Sequence, residues 1–172
     1  MGKTMAEKIF ENKVGFPVKA GDLVIARVDR AMGQDGTSPL AIQSFEEMKG
    51  ERVFDPEKII LILDHNAPSP LESVSRLHDL MRNFSRKFGV QLMEIGEGVC
   101  HELMVSRGLV VPGDLVVGAD SHTCTYGAIG AFSTGVGSTE LAVVMLSGEL
   151  WFKVPETIRL NLKGKLPVGV FS

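Results

Sequence analysis

Short apolar runs of strand length alternate along this chain with stretches of helical period. Residues 22–28 (Asp-Leu-Val-Ile-Ala-Arg-Val) form a β-branched run, followed by a polar loop over 32–37. Ser38 and Pro39 then suit the N-cap and first position of a helix from 40 to about 48. Residues 58–63 (Lys-Ile-Ile-Leu-Ile-Leu) are almost continuously apolar, as in a strand covered on both faces, and end at Asp64-His65-Asn66. From Ser69-Pro70, the positions Val74, Leu77, Met81, Phe84 and Phe88 step by three and four, which predicts a long helix stopped by Gly89. A strand over 90–95 leads through Gly96 and Gly98 into a helix carrying Cys100, His101 and Glu102. A strand over 114–117 leads through a Gly-rich run, Gly127 to Gly137, into a helix over 138–146. Ahead of them all, Thr4 and Glu7 have the spacing of a capping box for a short helix through about Phe10.

Four strand-loop-helix units in succession predict an α/β fold, three layers deep (α/β/α) around a mostly parallel sheet. Residues 1–172 read as one α/β domain. Within 154–172, the alternation over 157–163 predicts a half-exposed antiparallel strand, and the apolar run 166–172 reads as a truncated tail.

With 172 residues and 44% hydrophobic content the chain can bury a real core. A net charge of −3 provides no electrostatic footprint for nucleic acid or for a membrane surface. The N-terminus is polar and no apolar run reaches membrane-spanning length, so a cytoplasmic protein is expected. Two cysteines exclude a disulfide framework and cannot complete a three- or four-cysteine metal site within the chain.

The loops at the carboxyl ends of parallel strands share one edge of the sheet, and candidate chemistry collects there. In order these loops carry Gln34 and Asp35, then Asp64 and His65, then His101, then Asp120, Ser121 and His122. A carboxylate beside an imidazole fixes its tautomer and stabilises its cation, which suits proton transfer. The fourth histidine, His78, falls inside the long helix and reads as a partly exposed residue without a role. The Gly-rich run lacks the Lys of a phosphate loop, since Val136 stands in its place, and Glu140 replaces the third Gly of a dinucleotide fingerprint. It is better read as backbone making room for a close neighbour.

Residues 118–140 (Gly-Ala-Asp-Ser-His-Thr-Cys-Thr-Tyr-Gly-Ala-Ile-Gly-Ala-Phe-Ser-Thr-Gly-Val-Gly-Ser-Thr-Glu) resemble the aconitase superfamily, in particular its branch of 3-isopropylmalate dehydratase and homoaconitase large subunits. Residues 29–37 (Asp-Arg-Ala-Met-Gly-Gln-Asp-Gly-Thr), 63–68 (Leu-Asp-His-Asn-Ala-Pro) and 96–102 (Gly-Glu-Gly-Val-Cys-His-Glu) match in the family's order, so the resemblance covers essentially the whole chain. It implies the fold of the first iron–sulfur domain and a hydro-lyase that isomerises a hydroxy di- or tricarboxylate, 3-isopropylmalate in leucine biosynthesis being the preferred substrate and homoaconitase- or aconitase-type hydration the alternative. In that family a [4Fe–4S] cluster binds the substrate hydroxyl and carboxylate as a Lewis acid. Carried over residue by residue, the resemblance makes Gln34 and Ser121 substrate contacts and Asp64–His65 the pair that protonates the departing hydroxyl. Asp120 with His101 becomes a second pair, and His122 the partner of a Glu from a later segment.

The same resemblance implies what these residues lack. The family's three cluster cysteines correspond to positions beyond Ser172, and neither Cys100 nor Cys124 matches them. The resemblance thus implies the N-terminal portion of a large subunit, with no cluster bound by this chain alone and no turnover by it alone. The rest of that subunit, and a small subunit carrying the swivelling domain and the catalytic base, are the implied partners. Two readings of other classes stay open: a stand-alone module binding carboxylate or phosphate at helix N-termini, and a zinc hydrolase using His65, His101 and His122. The fragment reading predicts an uncovered apolar face and a poorly ordered tail after Leu166.

Overall fold

The chain runs α1 (Met5–Val14), β1 (Leu23–Arg27), β2 (Arg30–Gln34), α2 (Ser38–Glu47), β3 (Ile59–Ile62), α3 (Glu72–Phe88), β4 (Gln91–Met93), α4 (Cys100–Ser106), β5 (Leu115–Gly118), β6 (Phe132–Gly135), α5 (Ser138–Ser147) and β7 (Glu149–Lys153). The computed structural model describes residues 2–165, 167 and 169. Five strands pair in parallel in the order β4-β3-β2-β5-β6, and β1 pairs antiparallel with β7 in a separate ribbon.

Alternation along the central strands divides the core in two. Ile59, Leu61, Leu115 and Val117 face one apolar layer, with Phe10 of α1, Ile42 and Phe45 of α2, Met81 and Phe84 of α3, and Leu141 and Met145 of α5. Met32, Ile60, Ile62 and Val116 face the other, with Leu103 and Met104 of α4 and Tyr126. Both faces of β3 and β5 are therefore dry, which accounts for their unbroken apolar runs and makes the fold the three-layer α/β/α arrangement read from the pattern.

Several elements differ from the sequence reading. The apolar run 22–28 is a strand, but it lies in the ribbon. The first strand of the parallel sheet is β2, whose last three residues fall in what reads as a polar loop. This central strand has little apolar bulk because α2 and α5 press against it: a Cβ on Gly33 would lie 2.2 Å from Ser38 Oγ and 3.2 Å from a Leu141 methyl. The Gly-rich run likewise holds regular structure, the end of a 3₁₀ helix over Ser121–Ile129 and then β6, an edge strand only partly buried and so free to use Ser, Thr and Gly.

The helix termini also move. α1 carries the expected capping box, with Thr4 N–H to Glu7 Oε2 at 2.8 Å and Glu7 N–H to Thr4 Oγ1 at 3.2 Å, but continues to Val14. α2 begins at Ser38 instead of 40, with Thr37 in the N-cap position. α3 ends at Gly89 as expected, yet Leu77 is exposed and His78 takes the buried place in the stripe with Met81 and Phe84. The antiparallel strand near the end is β7, and residues 157–163 form no strand. Their apolar members Ile158, Leu160 and Leu162 are exposed, as are Leu23, Ile25 and Trp151 on the outer face of the ribbon. The expectation for the tail after Leu166 falls mainly outside the described residues.

Candidate active site

From β2 the chain steps outward through β3 to β4, then returns to the opposite side of β2 for β5. The carboxyl ends of β2 and β5 therefore flank a topological switch point, where open α/β sheets have a crevice. A cavity of about 640 Å³ opens there, lined by Thr37, Ala119, Asp120, Ser121, Gly135, Val136 and Gly137. Thr37 and Gly137 are the N-cap residues of α2 and α5, so both helices start at this cavity. Thr37 Oγ1 donates to the Ala119 carbonyl (2.7 Å) and Ser138 Oγ donates to the Thr37 carbonyl (3.2 Å), tying the two sides together. This accounts for Thr37 not capping α2, since its hydroxyl bridges to the other strand end. Gly135 has a comparable reason: a Cβ there would come 2.7 Å from the Asp120 carbonyl oxygen.

The ionisable side chains of this edge form one connected network. Asp64 Oδ1 lies 2.8 Å from His65 Nδ1, and its Oδ2 accepts the Cys100 N–H at 2.7 Å. His65 Nε2 faces Asp120 Oδ2 at 3.4 Å. Asp120 Oδ1 meets His101 Nε2 at 2.9 Å and accepts the His122 N–H at 2.7 Å, and His101 Nδ1 lies 3.1 Å from Tyr126 Oη. The two acid–imidazole pairs suggested by the sequence thus meet at Asp120, giving the order Asp64, His65, Asp120, His101, Tyr126. His122 is exposed, its Nδ1 3.3 Å from both Ser121 Oγ and Asp120 Oδ1. Ser121 and Asp120 line the cavity, whereas Gln34 is buried beside it with Oε1 accepting the Gly36 N–H.

Electrostatics follow from this geometry. Partial burial opposes the His65 cation, but the hydrogen bond and charge of Asp64 and the charges of Asp120 and Asp35 outweigh it, raising the pKa above the usual 6.5. Burial likewise opposes the Asp120 anion, yet the His122 N–H and the His101 and His65 rings hold its pKa below 3.8. The signs run oppositely with pH. Stabilisation from His65 is complete below its unfolded value and is lost as pH rises through the raised folded one. That from Asp120 is present above its unfolded value and is lost as pH falls through the depressed one. An NMR titration of the His65 ring should therefore give a midpoint above 6.5, which Asp120→Asn moves downward. A wild-type midpoint at or below 6.5 would contradict this account.

The donor set fits neither a zinc site of three histidines nor a three-cysteine cluster. Among the described residues, the clusters of donor atoms lying within 4.8 Å of one another are Asp64, His65 and Cys100, and His101, Asp120 and His122. Neither contains the three histidines of the zinc reading, because Asp120 stands between them, and both nitrogens of His101 are engaged. Cys124 is exposed, and Cys100 is buried, its thiol pKa driven upward by burial and by the Asp64 charge. A protonated buried thiol and a lone surface thiol do not make a three-cysteine cluster site.

Sequence reasoning misjudged or passed over three residues. His78 is not a partly exposed bystander: it is only 4% exposed, and its Nε2 lies 2.9 Å from Asp35 Oδ2. Asp35, 1% exposed, stands in the edge loop but had no role assigned. Tyr126 is the chain's only tyrosine, and burial pushes its pKa upward and keeps the phenol protonated. Its proximity to the Ser121-His122 segment was the available signal.

Fold and site together define a parallel α/β domain whose switch point is furnished with coupled carboxylates and imidazoles suited to proton transfer. The chain belongs to the Aconitase family (aconitate hydratase), which matches residues 7–172. It is 49% identical over 173 residues to the 3-isopropylmalate dehydratase large subunit 1 of Methanopyrus kandleri, covering 100% of this chain and 41% of that protein. To the large subunit 1 of the same name from Thermotoga maritima it is 51% identical over 172 residues, again 100% of this chain and 41% of the relative. To the 3-isopropylmalate dehydratase large subunit of Moorella thermoacetica it is 52% identical over 169 residues, 96% of this chain and 40% of the relative. The chain thus spans about two-fifths of the length of these curated relatives. Among the described residues no helix is long and apolar enough to cross a membrane.

Proposed function

We propose that this chain is the N-terminal portion of the large subunit of a cytoplasmic iron–sulfur hydro-lyase that isomerises 3-isopropylmalate by removing water and adding it back to the neighbouring carbon. The observation that carries this reading is the network from Asp64 to Tyr126, which meets the switch-point cavity at Asp120, in a chain about half identical along its whole length to 3-isopropylmalate dehydratase large subunits. Asp64 holds Nδ1 of His65, and the looser contact of Nε2 leaves that atom as the one to give a proton to the departing hydroxyl. Asp120 stands between the two rings, 3.4 Å from His65 Nε2 and 2.9 Å from His101 Nε2, and its charge helps to keep the proton on His65 until it is given up. Ser121, exposed at the cavity, supplies a neutral hydroxyl to a polar substrate, whereas Gln34 is buried outside the cavity lining with its Oε1 taken by the Gly36 N–H.

Dehydration also removes a proton from carbon, and among the residues of this network none stands free as its base. That group is assigned to the small subunit with its swivelling domain. The [4Fe–4S] cluster is assigned to cysteines of the rest of the large subunit, since Cys100 and Cys124 do not fit it.

The test is an assay of the complete large subunit with its small subunit, cluster loaded, on 3-isopropylmalate and on homocitrate, following the absorbance of the unsaturated intermediate. Turnover of 3-isopropylmalate is expected. Turnover of homocitrate alone would reassign the substrate, and no turnover of any hydroxy acid would overturn the hydro-lyase reading.

A further inference from the structure

The long helix α3 contributes a buried histidine whose polar partner among the described residues lies on another element, at the edge that carries the active-site loops. We propose that Asp35 and His78 form a buried positioning pair that clamps the backbone at His65 and Asn66 and thereby aims the His65 ring at Asp120. The inference rests on the proposed role of His65.

The Asp35 carboxylate, directly after β2, accepts the His65 N–H at 2.9 Å and the Asn66 N–H at 3.2 and 3.0 Å, and it meets His78 Nε2 at 2.9 Å. Two successive amides and one ring nitrogen thus converge on one carboxylate that solvent hardly reaches. An ionised carboxylate is costly to bury unless donors surround it, and breaking such a set leaves an uncompensated charge. A simple packing role would be served as well by an apolar residue at each position. The arrangement does what apolar packing cannot, because consecutive N–H groups held by one acceptor restrict the backbone on both sides of the His65 Cα.

The consequence appears in the ring. With its backbone held, His65 places Nδ1 on Asp64 and Nε2 toward Asp120, and the two rotations left to the side chain are set by those carboxylates. Asp64, Asp120 and Asp35 are also the charged groups that act on this ring. His78 reaches the loop from the middle of α3, which Met81 and Phe84 seat in the core, so the clamp is referenced to a rigid element. The amides and Asp35 are separated by about 30 residues, and Asp35 and His78 by 43, so nothing local would bring them together.

Three variants test the proposal: Asp35→Asn, His78→Phe, which removes the donor while keeping a ring, and His78→Gln, which keeps an N–H. In the complete large subunit, amide exchange at His65 and Asn66 and the NMR titration of the His65 ring are measured without substrate. Asp35→Asn and His78→Phe should speed exchange at both amides roughly tenfold and lower the His65 midpoint, and His78→Gln should restore both toward wild type. In the assembled enzyme the first two should lower kcat on the order of 10²-fold, the effect of a reacting group displaced by about 1 Å, with KM little changed.

Unaltered exchange and titration in a folded Asp35→Asn would overturn the proposal. If that variant does not fold, identical behaviour of His78→Phe and His78→Gln would do so. These readouts need no turnover, so an enzyme inactive on every hydroxy acid would remove the proposed function while leaving the clamp to be judged by the amides.

Discussion

His65→Ala in the complete enzyme should lower turnover by ~10²–10⁴-fold, the contribution of a positioned general acid, and Asp64→Asn should fall in the same range. The two substitutions act on different parts of one device. Alanine removes the nitrogen that gives up the proton. Asparagine keeps the shape of Asp64 and still offers an oxygen to Nδ1 or to the Cys100 N–H, but it removes the charge that helps raise the His65 pKa. A ring whose pKa is lowered carries its proton a smaller fraction of the time and so gives it up less often, even where its position is intact. The iron and sulfide content of the enzyme should not change in either variant, because neither residue is assigned to the cluster. Steady-state assays with iron analysis check both statements, and wild-type turnover in either variant would remove the pair from the mechanism.

Phe45→Ala should destabilise the fold by about 3–5 kcal/mol, as expected for an aromatic truncation in a closed core. Phe45 on α2 is fully buried, with its ring against Phe84 at 5.3 Å and 87° and against Phe88 at 5.3 Å and 75°. These edge-to-face contacts join α2 to α3, the helix that carries His78. Phe84 and Phe88 already pack on each other at 4.7 Å and so are held away from the space the ring would leave. For a chain of this size the loss corresponds to a fall in Tm on the order of 10 °C. Urea and thermal unfolding measure it, and a cost below about 1 kcal/mol would mean that the α2–α3 seam is not close-packed as described.

Legibility in the sequence followed the physical demand on each segment. β3 was plain because a strand covered on both faces must be apolar throughout, and the end of α3 because Gly89 closes it. β2 and β6 were hidden for opposite reasons. β2 lies centrally but is pressed so closely by helices that it carries Gly33, and β6 lies at an edge where Ser133 and Thr134 meet no dry layer on both sides. The α3 stripe misled at one step: apolar periodicity favoured Leu77, whereas a carboxylate on another element made the neighbouring His78 the buried residue.

What the sequence determined by itself was the α/β alternation, the placement of Asp64, His65 and Asp120 directly after strands and of His101 on the helix after β4, and the family likeness those motifs carry. All of these depend on residue type and short-range spacing. Only the tertiary structure decided that two acid–imidazole pairs share Asp120, that Asp35 and His78 close on each other in the interior, and that the cavity opens between β2 and β5. The physical reason is strand order. Which loops become neighbours is set by how the sheet is threaded, and the turn back from β4 to the far side of β2 is a choice of global packing that no local pattern encodes.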